Sequence, residues 1–114
     1  MEKRRFRRLK DGVKVIFKIV NKKEDTVSSI NIGAGGVCIP LKEKLKPGTL
    51  LELGLILPGH QTPFYAFAKV AWQSEVPKKD KDGNFYYETG VQFLRMNLED
   101  RRKLIEYIYK HSKR

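Results

Sequence analysis

The sequence predicts an all-β fold, a small β-barrel of about six antiparallel strands capped by a C-terminal α-helix. Three observations carry that expectation. Short runs rich in β-branched and aromatic residues recur as far as Met96, each bounded by Gly, Pro, Asn or Asp. After Met96 the apolar period changes from that of a strand to that of a helix. A length of 114 residues, 40% hydrophobic and 32% charged, suits one domain with a modest core and no staples.

In order, residues 1–12 read as a basic N-terminal arm and residues 13–114 as the barrel with its helix. Val13, Val15, Phe17 and Ile19 alternate with Lys14, Ile16, Lys18 and Val20, a strand with one strongly apolar face. Residues 21–25 form a charged hairpin turn, and a second strand covers 26–32. A glycine-rich loop, NIGAGG at 31–36, leads into a third strand at 37–41. Lys46, Pro47 and Gly48 make a turn with proline and glycine in their usual order. Residues 50–57 are apolar nearly throughout and read as a buried strand, ended by Pro58, Gly59 and His60. A long strand at 64–76 turns at 77–84, with Asp82, Gly83 and Asn84 at the tip, and returns over 85–94.

Asn97 is the expected helix N-cap, and Glu99 and Asp100 favour the positive end of the dipole. Leu98, Leu104, Ile105 and Ile108 recur at helical spacing, and Tyr107 and Tyr109 are expected to pack.

Charge narrows the function. Twenty-four Lys and Arg against thirteen Asp and Glu give a net charge of +11, which calls for an anionic partner. Lys3, Arg4, Arg5, Arg7, Arg8 and Lys10 crowd the arm against Glu2 alone. Most lysines read as solvated charge. The arginines differ, because a guanidinium fork fits phosphates and the O6/N7 edge of guanine.

No apolar stretch approaches the roughly 18 residues of a membrane span, and the N-terminus lacks the apolar core of a signal peptide. Cys38, the one cysteine, has no partner for a disulfide or zinc site and reads as a small buried hydrophobe. These features point to a cytoplasmic protein. His60 and His111 have no metal-ligand spacing with Cys38. Ser28 and Ser29 have no base near them in sequence, and no phosphate-loop motif is present. The chain is therefore expected not to be an enzyme and to need neither cofactor nor metal.

The loop at 31–36 has three glycines in four positions, able to adopt positive φ and to let a ligand approach closely. Alone it reads equally well as a plain turn at a strand corner. Together with the arm it is more specific. Arg4-x-x-x-Arg8, with Phe6 between, followed by Asn31-x-Gly33-x-x-Gly36, resembles the R-x-x-x-R and [DN]-x-S-x-x-G signature of the PilZ domain family. Val70, Ala71 and Trp72, and then Gly90, Val91, Gln92 and Phe93, look like that family's downstream strand motifs.

The resemblance spans nearly the whole chain. It implies a six-stranded barrel that binds the bacterial second messenger cyclic di-GMP and so changes how it meets an unidentified partner protein. It implies that Arg4 and Arg8 grip guanine edges and phosphates, with Arg5 as an auxiliary contact. It further implies that Asn31 bonds a guanine edge and Gly36 keeps the loop open. Gly33 stands where the family has serine, so one hydroxyl is missing and weakened binding is expected. The rivals are a small basic barrel that binds nucleic acid, with Phe64, Tyr65, Phe67, Tyr86 and Tyr87 as stacking residues, and an adaptor that no longer binds the nucleotide. Core packing is expected to claim most of those aromatics.

Overall fold

The alternation at 13–19 is realised directly. Val13, Val15, Phe17 and Ile19 are each at most 8% exposed, while Lys14 and Lys18 face solvent. A computed structural model describes residues 8–10 and 12–112. Within them lie β1 (Arg8–Leu9), β2 (Lys14–Ile19), β3 (Glu24–Ser28), β4 (Asn31–Gly33), β5 (Gly36–Leu41), β6 (Leu50–Ile56), β7 (Phe64–Gln73), β8 (Lys78–Lys79), β9 (Phe85–Met96) and one helix, α1 (Leu98–Ser112). Every pairing is antiparallel. The order is β1-β4-β5-β9-β7-β6-β2-β3, with β8 beside β9.

Six walls of a barrel are present: β2, the β3–β4 stretch, β5, β6, β7 and β9. Among the described residues no ladder joins β3 to β5, so the sheet is not closed by hydrogen bonds. The chain itself spans the gap. Residues 24–28 pair with β2, and after a break at Ser29 and Ile30 residues 31–32 pair with β5. Ser29 pins the break. It is buried, its N–H donates to the Val13 carbonyl at 2.8 Å, and its Oγ accepts from the Val13 N–H at 2.9 Å. The Ile30 N–H donates to the Cys38 carbonyl at 2.7 Å. A serine with no chemical base nearby thus has a structural task, because a buried break needs its backbone groups satisfied.

The core fills the barrel interior, with Leu51, Leu53 and Leu55 of β6 facing Val15, Val37, Ile39, Val70 and Val91. Two expectations need correction. Residues 50–57 are not uniformly buried, since Leu50 is 40% exposed and Glu52 faces solvent. In β7 the alanines Ala66 and Ala68 point inward, and Tyr65 and Phe67 stand on the outer surface at 67% and 39% exposure. Of the proposed stacking aromatics only Phe64 is a core residue. The reason is volume: the leucines of β6 already occupy the interior opposite β7, leaving room for methyl groups.

Helix α1 is capped as expected, with Asn97 Oδ1 accepting from the N–H groups of Glu99 at 2.8 Å and Asp100 at 3.3 Å. Its buried face is turned from the expected one. Leu104, Tyr107 and Ile108 pack inward, whereas Leu98 is 82% exposed and Ile105 and Tyr109 lie with it on the outer side. At 100° per residue, positions 98, 105 and 109 share one stripe and 104, 107 and 108 another. Only the second meets β1 and β4. None of the described helices is long and apolar enough to cross a membrane.

Candidate functional site

Residues 8 and 9, near the end of the arm, are part of the sheet. Arg8 pairs with Gly33 and Leu9 with Ile32, and Leu9 is buried at 4% exposure. Residues 8–9 of the segment expected as an arm therefore form a short strand with an anchored side chain. Arg4 and Arg5 lie outside the described residues.

This pairing brings the two halves of the signature together. Arg8 donates to Asn31 Oδ1 from Nε at 3.0 Å and from a terminal guanidinium nitrogen at 2.6 Å. Both partners are half-buried. A guanidinium has only donors, so the acceptor must be the amide oxygen. Asn31 carries no charge, so this contact orients the guanidinium without cancelling its positive charge.

The glycine loop is fixed rather than loose. The Gly35 carbonyl accepts from the Phe93 N–H at 3.0 Å, and Gly36 pairs with Gln92 across the β5–β9 ladder. A Cβ on Gly36 would run into the Val91 carbonyl oxygen. The positive-φ glycines are Gly48, Gly59 and Gly83, all outside the loop. Gly36 thus serves close backbone approach, and none of the three loop glycines makes a left-handed turn. Gly33 is buried in β4 opposite Arg8, on backbone that any residue can adopt.

Beside Arg8 lies a shallow recess of about 240 Å³, walled by Gly35 and Gly36 on one side and by Ala71, Trp72, Gly90 and Gln92 on the other. Trp72, the single tryptophan of the chain, is 48% exposed there. Strict alternation from buried Val70 would have turned it inward. A register shift between Val70 and Trp72 instead leaves both Ala71 and Trp72 on the outside, the usual way a bulge re-aims a side chain. The indole lies against Gly90, where a Cβ would overlap its five-membered ring. Its neighbour Gln73 is pinned on both ends. Oε1 accepts from the Leu45 N–H at 2.8 Å, and Nε2 donates to Thr89 Oγ1 and to the Glu43 carbonyl, each at 3.0 Å.

Trp72 and Gln92 were not among the expected site residues. The signal available was a bulky aromatic next to a small residue in a strand, paired in the sequence with a later glycine. Among the described residues no cluster of three or more His, Cys, Asp or Glu could hold a metal.

A small antiparallel barrel with a terminal helix and an oriented guanidinium at a surface recess defines the class to which this chain should be compared. A family model for the PilZ domain matches residues 2–110, and the chain belongs to the PilZ domain family. No curated protein matches it significantly in sequence. Solved structures share the fold. The inhibitor of motility MotI/DgrA from Bacillus subtilis is 19% identical with a TM-score of 0.76, covering 98% of this chain and 52% of that one. The PilZ domain of Escherichia coli YcgR, solved with c-di-GMP, is 17% identical with a TM-score of 0.72, covering 97% and 92%. Apo MrkH from K. pneumonia is 19% identical with a TM-score of 0.77, covering 98% and 52%. The chain thus spans about half the length of MotI and MrkH.

Proposed function

We propose that this chain is a cyclic di-GMP receptor and adaptor, not an enzyme, whose contact with a partner protein changes when the nucleotide binds. The observation that carries this reading is the Arg8–Asn31 contact, which aims a guanidinium beside a recess walled by glycines and Trp72. Arg8 is assigned a phosphate or the O6/N7 edge of a guanine, where a fork of donors meets paired acceptors. Asn31 orients Arg8, and its amide is within reach of the same ligand. Trp72 offers an aromatic face on which a base can stack. Arg4 and Arg5 are assigned to the ligand by the family signature, and Gly36 to the close approach of the loop to β9. Gly33 leaves the family's hydroxyl contact unmade. The fold of MotI, YcgR and MrkH supports the reading, and the YcgR domain is solved with this nucleotide.

The test is calorimetric titration with cyclic di-GMP, cyclic di-AMP and GTP, with Trp72 emission followed in parallel. Cyclic di-GMP should bind best and change the emission. Equal affinity for all three, or none for any, defeats the reading.

Gly33 also favours a second reading, an adaptor that keeps the scaffold and has lost the ligand. In that case neither heat nor fluorescence responds to any of the three nucleotides.

A further inference from the structure

We propose that the unclosed seam of the barrel is a second binding site, for an apolar-tailed monocarboxylate. Where β3 ends the ladder and β5 runs past its last bond to β4, a cleft of about 660 Å³ opens between them. That size falls within the roughly 300–1,000 Å³ typical of small-molecule sites. It shares no lining residue with the recess beside Arg8. Its walls are apolar: Phe17, Ile19, Val27 and Leu41, with Phe85 and Tyr86 at one side.

Two features argue against an added peptide strand as the occupant. The Thr26 N–H, on the edge strand, is already taken by Asp25 Oδ1 at 2.8 Å. Pro40, across the cleft, has no N–H to give. An extended chain would lack one backbone donor on each edge, a common way of blunting exposed edges. A ligand held by its apolar body needs neither.

The mouth decides the charge of the head group. Lys22 is bound to Glu43 at 2.6 Å. Two further carboxylates line the cleft and are held by backbone: Asp25 Oδ1 accepts from the Thr26 N–H at 2.8 Å, and Asp80 Oδ1 from the N–H groups of Asp82 and Asn84, both at 2.9 Å. Lys23 and Lys42 also line the cleft and make no ion pair among the described residues. An apolar tail in the cleft and one carboxylate at these two ammonium groups satisfy both parts of the site.

The probe is decanoate, titrated below its micellar range, beside decanol and acetate. One decanoate should bind per chain, decanol more weakly and acetate not at all. Reversing both Lys23→Glu and Lys42→Glu should weaken decanoate roughly five-fold or more. The pair Lys14→Glu and Lys103→Glu, with the same change in net charge, should leave it unchanged. Amide NMR shifts on adding decanoate should cluster at residues 25–27, 41–43 and 85–86. No saturable binding, several decanoates per chain, equal loss in both double variants, or shifts scattered over the surface each overturn the site. Arg8→Ala should leave decanoate binding intact, so failure here is separable from failure of the nucleotide reading.

Discussion

Arg8 meets Asn31 through a neutral amide oxygen. That contact orients the guanidinium without opposing its charge, as a carboxylate at the same point would. Arg8→Ala should therefore weaken cyclic di-GMP binding by about 1.5–3 kcal/mol, the range for charge-assisted hydrogen bonds, as read by calorimetry. Asn31→Ala should weaken it less, because the guanidinium remains and what is lost is its orientation and one neutral amide contact. Gly33→Ser probes the departure from the family pattern. The backbone there is not left-handed, so serine meets no conformational strain, and a restored hydroxyl bond should gain roughly 0.5–1.5 kcal/mol. A melting temperature that falls sharply in this variant would instead report that the buried position has no room for the side chain. At this scale the sequence was partly legible. The motif named Arg8 and Asn31 as ligand contacts but not their bond to each other, and the work of Gly36 was hidden as well. A glycine's freedom in φ is visible in any sequence, whereas the Val91 carbonyl that excludes a Cβ at Gly36 comes from a strand far along the chain.

Elements depart from the periodic pattern where two strands disagree in length. The register shift in β7 turns Trp72 outward, and Gly90 on β9 provides the flat surface it rests on. A period of two cannot reveal such a shift, because the extra residue is defined only by its partner strand. The rotated face of α1 is hidden for a similar reason. Both of its apolar stripes are valid helix faces, and the position of β1 and β4 selects one. Its cap, a purely local device, was legible in full. Two predictions belong here. Gly90→Ala should displace the indole and shift the emission of the only tryptophan toward that of a fully hydrated ring, with the loop glycines unchanged. Gly36→Ala should instead act on the fold, since backbone must move to admit the methyl group. Overpacking of this kind costs roughly 1–3 kcal/mol, to be measured by urea unfolding. A Gly36→Ala protein with wild-type stability would show that the β5–β9 approach is more pliable than its geometry suggests.

At the scale of the whole molecule, two properties were differently legible. The all-β class with a terminal helix followed from period and punctuation alone. The way the barrel is held did not, because one bent strand pinned by Ser29 does the work of a ladder. Charge was legible in amount, +11, but not in use. A basic barrel can meet nucleic acid through many phosphates or a cyclic dinucleotide through two, and ionic strength separates the cases. Each phosphate neutralised on a long polyanion releases counterions, and log K falls with log salt by about 0.7 to 0.9 per contact. A dinucleotide has no condensed counterion layer to release. Its two charges are screened only as ordinary ions are, over a Debye length of roughly 8 Å at physiological salt. Cyclic di-GMP affinity should therefore decline only a few-fold between 50 and 200 mM salt, about the range over which six or more phosphate contacts would lose a thousand-fold or more. Single-stranded and duplex oligonucleotides titrated over the same series supply the contrast. A steep slope with tight oligonucleotide binding, and no response to the dinucleotide, would move the basic surface to nucleic acid. A shallow slope for the dinucleotide, with oligonucleotides released by modest salt, keeps the positive charge at work on a small ligand.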